Sequence, residues 1–191
     1  MELGKTLYVA DGESWRAWLA EHHQSETEIW LIYYRKETGK PRISYNDAVE
    51  EALCFGWIDS TVKRIDEERF AQRFSARKAT SGLSQMNRER VRALIAQKRM
   101  TAAGLAAIAH VFDAAEEEKD FIIAADILEP LKANAPAWAN FQTLPESYKR
   151  IRIAFIESRR RHGREQFERS LRHFIAMTAK NKRFGYVKEM S

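Results

Sequence analysis

The chain has 191 residues, enough for one generous domain or a domain with an appendage. Its 45% hydrophobic and 31% charged residues are those of a globular protein and exclude a disordered one. No run of 18 apolar residues offers a membrane helix, and the single cysteine, Cys54, excludes an internal disulfide and a multi-thiolate metal site.

The net charge of +5 is unevenly placed. Eight acids stand against two bases between Asp113 and Glu146, and thirteen bases against three acids between Lys149 and Lys188. Such asymmetry marks either a nucleic-acid or acidic-partner surface, or a solvated helix face beside the acidic segment. The chain does not open on a basic region followed by an apolar one, so the expected location is the cytoplasm.

Residues 6–10 predict a short strand. Asp11 or Ser14 then caps a helix in which Trp15, Trp18 and Leu19 form an i, i+3, i+4 stripe. Residues 28–36, Glu-Ile-Trp-Leu-Ile-Tyr-Tyr-Arg-Lys, predict the strongest strand, central and covered on both faces. Ser44, with Asp47 three residues on, starts a second helix that Gly56 stops in the left-handed conformation. Residues 57–65 and 69–76 predict a hairpin around Asp66-Glu67-Glu68.

With Ile65 opposite Arg69, alternation places Ile58, Val62, Phe70 and Phe74 on a core face. Trp57, Asp59, Thr61, Lys63, Arg73, Ser75 and Arg77 fall on the other. A polar outer face is ordinary for a half-buried sheet, but a Trp at its head beside an Asp and several cations also suits a ligand. Arg73 and Arg77 offer planar forks for carboxylate or phosphate; with Asp59 and Lys63 they equally make a structural ion-pair network. Ser84 and Asn87 open the next helix, whose first N–H groups either complete an anion site or are simply capped.

That helix buries Val91, Leu94 and Ile95. Met100-Thr101 begins another, in which Gly104 suits close helix packing. Beyond Asp120 the pattern is helical only. Pro136 and Pro145 sit at first turns, and Tyr148, Ile151 and Phe155 form one stripe. After a break at His162-Gly163, Phe167, Leu171, Phe174 and Ile175 form the next, giving a helical hairpin.

Several of these strings resemble the bacterial YdeI/OmpD-associated, bacteriocin-protection family: Trp30-Leu31-Ile32-Tyr33-Tyr34, Cys54-Phe55-Gly56-Trp57-Ile58-Asp59-Ser60, Arg73-Phe74-Ser75-Ala76-Arg77-Lys78 and Met100-Thr101-Ala102-Ala103-Gly104-Leu105. Ser81, Ser84 and Asn87 fit as well, and the resemblance runs over nearly the whole chain. Family members usually carry a Trp where this chain has Leu83, and an Ala-Lys followed by Glu-Thr-Arg where it has Ser158-Arg159 and Gly163-Arg164-Glu165. The resemblance implies an α+β fold: a small antiparallel or mixed sheet packed with helices over residues 1–115, then a C-terminal helical module over 120–191 packed on it. It brings no reaction, cofactor or catalytic set, and its label is a protection phenotype.

The remaining chemistry is sparse. Cys54 sits at a helix C-terminus, where the dipole disfavours a thiolate, and no local pattern places a histidine beside it. His22-His23 points to different helix faces, and no glycine-rich phosphate loop or nucleophile elbow is present, so no metal or cofactor is expected. Arg159, Arg160, Arg161 and Arg164 suit phosphates, with only Phe184 and Tyr186 free for base stacking. The sequence thus predicts a protein binding a small polar or anionic ligand or a peptide at Trp57, Asp59, Lys63, Arg73, Arg77, Ser84 and Asn87, in a stress-protection role. The alternatives are a nucleic-acid-associated protein, or an enzyme of unknown class using Asp59 or Cys54.

Overall fold

A computed structural model describes residues 3–113 and 121–185. The chain divides into two compact units: Met1–Leu83 with Arg90–Ala114, and Ser84–Glu89 with Ala115–Ser191.

The first unit is built on a four-stranded mixed sheet in the order β1-β2-β4-β3. Strand β1 (Thr6–Leu7), shorter than its sequence suggests, pairs parallel with β2 (Glu28–Tyr34). Strand β2 pairs antiparallel with β4 (Arg69–Ala76), and β4 with β3 (Trp57–Arg64). The aromatic and β-branched run therefore does form an interior strand. Its cover is one-sided, however: Ile29, Leu31 and Tyr33 are buried beneath helices, whereas Ile32 and Tyr34 on the opposite face stay half-buried and only Trp30 is fully covered.

Local signals set the helices. Asp11 accepts a hydrogen bond from the Ser14 N–H at 2.8 Å and starts α1 (Gly12–His22). Ser44 accepts from the Asp47 N–H at 3.1 Å and starts α2 (Tyr45–Cys54). Gly56 ends the turn after α2 with φ +75°. Trp15 and Leu19 of α1 and Ala48, Val49, Ala52 and Leu53 of α2 pack on the sheet with Phe74. Helices α3 (Gln85–Ala96) and α4 (Ala102–Ile108) add Val91, Leu94 and Ile108, and Leu83 also joins this core. The close packing expected at Gly104 is present: α4 lies directly on the end of α2, and Thr101 donates from both its N–H and its hydroxyl to the Cys54 carbonyl.

The hairpin turn is tied by Asp66, which accepts from the N–H groups of Glu68 and Arg69 and from the Arg69 guanidinium. The Arg69 hydrogen bond holds the Asp66 carboxyl below the ordinary carboxylate range. A carboxyl depressed on folding stabilises the fold at pH values above its unfolded pKa and loses that contribution as pH falls through its folded pKa. Asp66→Asn should therefore flatten the loss of stability of the hairpin on acidification; an acid-unfolding profile identical to that of the unmodified chain would count against this role.

One irregularity in the hairpin decides the site. Ile65 does face Arg69 as predicted, its N–H donating to the Arg69 carbonyl. Between Asp59 and Val62, however, the register shifts: Val62 pairs with Gln72 but Asp59 with Phe74. One extra residue in β3 makes a bulge, and every side chain before it changes face.

The second unit is helical: α5 (Ala125–Ala133), α6 (Ala135–Thr143), α7 (Glu146–Ser158) and α8 (Arg164–Ala179). Asn134 caps α6, with Pro136 in its first turn. A 3-10 turn at Arg159–His162 and Gly163 at φ +98° reverse the chain between α7 and α8. Ile127, Leu131, Phe141, Tyr148, Ile151, Phe167, Leu171 and Phe174 form its core. Glu89, buried here, takes a bidentate fork from Arg150 at 2.7 and 2.8 Å. The acidic run at residues 116–118 and Tyr186 lie outside the described residues.

Candidate functional site

The bulge corrects the face assignment drawn from strict alternation. Trp57 and Asp59 lie on the helix-covered face with Phe74, whereas Lys63 and Arg73 lie on the opposite face with Ala71 and Trp30. Trp57 is a core side chain, 1% exposed, its indole edge-on to Trp18 at 5.8 Å and its N–H given to the His23 carbonyl at 3.2 Å. No ring face is left there for a ligand to stack on. Arg73 is paired with Glu28 on the neighbouring strand. Arg77, past the end of β4, donates to the carbonyls of Gly82 and Ser81, and burial pushes its pKa down. Ser84 accepts from the Asn87 N–H at 3.3 Å as a helix cap; both residues group with the second unit. Of the seven residues proposed from sequence, the structure therefore does not gather Trp57, Asp59, Lys63, Arg73 and Arg77 on one wall.

What it gathers around Asp59 is a different set. Oδ2 of Asp59 accepts from the Gln72 amide at 2.8 Å and the Tyr45 hydroxyl at 3.1 Å, while Oδ1 has no partner among the described residues. Gln72 is a buried amide on β4, flanked in alternation by Phe70 and Phe74. Beside it Tyr33 stacks on Phe70 with ring centroids 5.0 Å apart. The Tyr33 hydroxyl is buried without a hydrogen-bond partner. Burial first, then the charges of Tyr45 and Asp59, push its pKa upward, so it stays a protonated phenol. Arg90 of α3, also buried, donates to the Asn46 side chain at 2.8 Å; burial pushes its pKa down, against the opposing charges of Tyr45, Glu50 and Asp59. Arg42 is near enough to act on Tyr33.

The cluster thus joins β2, β3, β4, α2 and α3 at one polar spot on the helix-covered sheet face. Sequence reasoning found only Asp59. Two signals were present: an amide, Gln72, at an inward position between two phenylalanines, and Arg90 four residues before Leu94 on the apolar stripe of α3.

Residues 7–107 match the family model of a domain of unknown function, DUF8412, and residues 120–181 match the model described as bacteriocin-protection, YdeI or OmpD-associated. The chain belongs to the DUF8412 family, and the match over residues 120–181 supports the resemblance to the YdeI/OmpD-associated proteins in its C-terminal helices. No curated protein and no solved structure matches it. The strings that carried the resemblance, from Trp30 through Leu105, all fall inside the DUF8412 match. The YdeI/OmpD-associated match falls instead on the C-terminal helices, where Ser158-Arg159 and Gly163-Arg164-Glu165 depart from the usual strings, so the resemblance over nearly the whole chain resolves into two models.

Within the YdeI/OmpD-associated stretch the basic run is largely engaged. Arg160 forks onto Asp126 with two bonds of 2.8 Å, binds Glu157 and lies over the Phe167 ring. Arg164 pairs with Glu168, and Arg159 sits over Phe155. Phe184, one of the two aromatics expected to be free for stacking, is covered by Arg152. In the DUF8412 stretch Cys54 is fully buried and desolvation pushes its thiol up, so it is a core residue rather than a nucleophile.

Proposed function

We propose that this protein is a cytoplasmic binding protein whose Asp59 cluster takes a small polar ligand, in a protective role of the kind its family description names. The observation that carries this reading is the Tyr33 hydroxyl, buried without a partner next to a carboxylate with one open oxygen. An unpaired buried hydroxyl costs about 1–3 kcal/mol, and a fold keeps such a cost where a ligand completes the bond. The open Oδ1 of Asp59 accepts, so the matching ligand group is a donor: a hydroxyl, an amide or an ammonium. An anionic ligand had rested on Arg73 and Arg77 sharing a wall with Asp59, and that wall is not formed.

The test uses the full chain with pools of polyols, sugars, amino acids and small amides at millimolar concentration. At least one class should raise the melting temperature, and Asp59→Asn should lose that response. Tyr33→Phe, by removing the unpaired hydroxyl, should melt a few degrees higher without ligand and respond less to it. If Tyr33→Phe melts lower, or Asp59→Asn responds as the unmodified chain does, the cluster is only structural.

A further inference from the structure

The second unit carries a cavity of about 590 Å³ that the reading above does not use. Met86, Phe155 and Phe184 give it an apolar lining, and Arg152, Arg169 and His173 give it its polar groups. None of the described residues lining it is acidic. A volume of several hundred Å³ is that of a small-molecule site.

Arg152 is the feature that calls for a ligand. It projects from α7 and is 7% exposed, yet among the described residues it has no hydrogen bond and no ion pair, and its Nε is buried without a partner. A buried cation is ordinarily paired with a carboxylate. Here the guanidinium is flanked by aromatic rings instead, 3.8 Å from the Phe184 centroid and 5.1 Å from that of Phe155. Rings of that kind attract the charge through its faces and leave the N–H edge available. Gly185 helps to keep that edge clear: a Cβ on it would come within 3.3 Å of Nη1, and its φ of +79° already disfavours other residues. His173, edge-on to Phe184 at 4.8 Å, and Arg169 stand at the more open rim. Burial also pushes the pKa of Arg152 down, although an arginine keeps its proton, so the charge remains to be met.

We infer that this cavity is a binding site for a small organic carboxylate with an aromatic or branched aliphatic body, its carboxylate on the edge of Arg152 and its body against Phe155, Phe184 and Met86. The fork of a guanidinium fits a planar carboxylate with two parallel bonds. A phosphate dianion asks for a second buried cation, and Arg169 is exposed.

Calorimetric titration of the full chain with 1-naphthoate tests this, with 1-naphthamide and inorganic phosphate alongside. Naphthoate should bind saturably and raise the melting temperature, naphthamide should bind at least about tenfold more weakly, and phosphate should not compete at comparable concentration. Arg152→Met should lower naphthoate affinity by about tenfold or more while leaving the chain folded, because an apolar residue suits a buried position without a partner. Should that variant fail to fold, the carboxylate–amide comparison on the unmodified chain decides, with Ser170→Trp as a variant that fills the cavity. Absent naphthoate binding, equal affinity for the amide, phosphate binding as tightly as naphthoate, or unchanged affinity in Arg152→Met would each overturn the assignment.

Discussion

Gly104→Ala is expected to melt the first unit at a much lower temperature. A Cβ at this position would lie 2.2 Å from the Cys54 carbonyl oxygen, 2.7 Å from its carbon and 2.9 Å from the Leu53 oxygen. These are backbone atoms at the end of α2, so no side chain can swing aside. Helix α4 would have to withdraw, and with it the bonds from the Thr101 N–H at 3.1 Å and its hydroxyl at 2.6 Å to the Cys54 carbonyl. Overpacking of this kind, with hydrogen bonds loosened beneath it, costs about 3 kcal/mol, or roughly 10 °C in melting temperature. Thermal unfolding followed by circular dichroism measures it. A drop of less than about 2 °C would mean that α4 is not held against α2 as closely as described.

The second large effect is at Glu51, a buried carboxylate in the middle of α2. It takes Arg16 of α1 at 2.6 Å and Arg99, from the loop before α4, also at 2.6 Å; Arg16 donates in turn to the Arg99 carbonyl. Glu51→Ala would leave two guanidinium groups facing each other across the vacated space. Both are about one-third exposed and recover part of their hydration, so the expected loss is about 2–3 kcal/mol rather than the full cost of an unpaired buried charge. The diagnostic comparison is with a triple replacement, Arg16→Leu, Glu51→Leu and Arg99→Leu together. If the network is a charge balance, the triple variant should be closer in stability to the unmodified chain than Glu51→Ala is. Chemical denaturation reads both. A triple variant less stable than the single one would assign the stabilisation to the ion pairs themselves.

These two positions show different degrees of legibility. Gly104 was visible as a packing glycine because a residue without a side chain inside a helix has few other uses. Glu51 was not visible. It lies on the helix that buries Ala48, Ala52 and Phe55, but nothing local states that two arginines from residues 16 and 99 will meet it. The candidate site divides in the same way. Asp59 was legible as a charge at the head of a strand. Gln72, Tyr45, Tyr33 and Arg90 come from separate elements, and only their packing puts them beside it.

The sequence by itself determined most of the elements and several of their ends: the caps at Asp11 and Ser44, the left-handed stop at Gly56, the interior strand, read over residues 28–36 and found at 28–34, the hairpin turn at Asp66 and the helical run after the acidic segment. Each depends on side chains within a few residues of the backbone groups they satisfy, so each is written locally. Tertiary structure alone decided which hairpin residues face the helices. One extra residue between Asp59 and Val62 moves Trp57 and Asp59 to the covered face and leaves Lys63 and Arg73 on the other, and no periodicity in the hairpin signals it. A bulge is fixed by what the strand packs against, here the indole of Trp57 beneath Trp18 and the carboxylate of Asp59 between Tyr45 and Gln72.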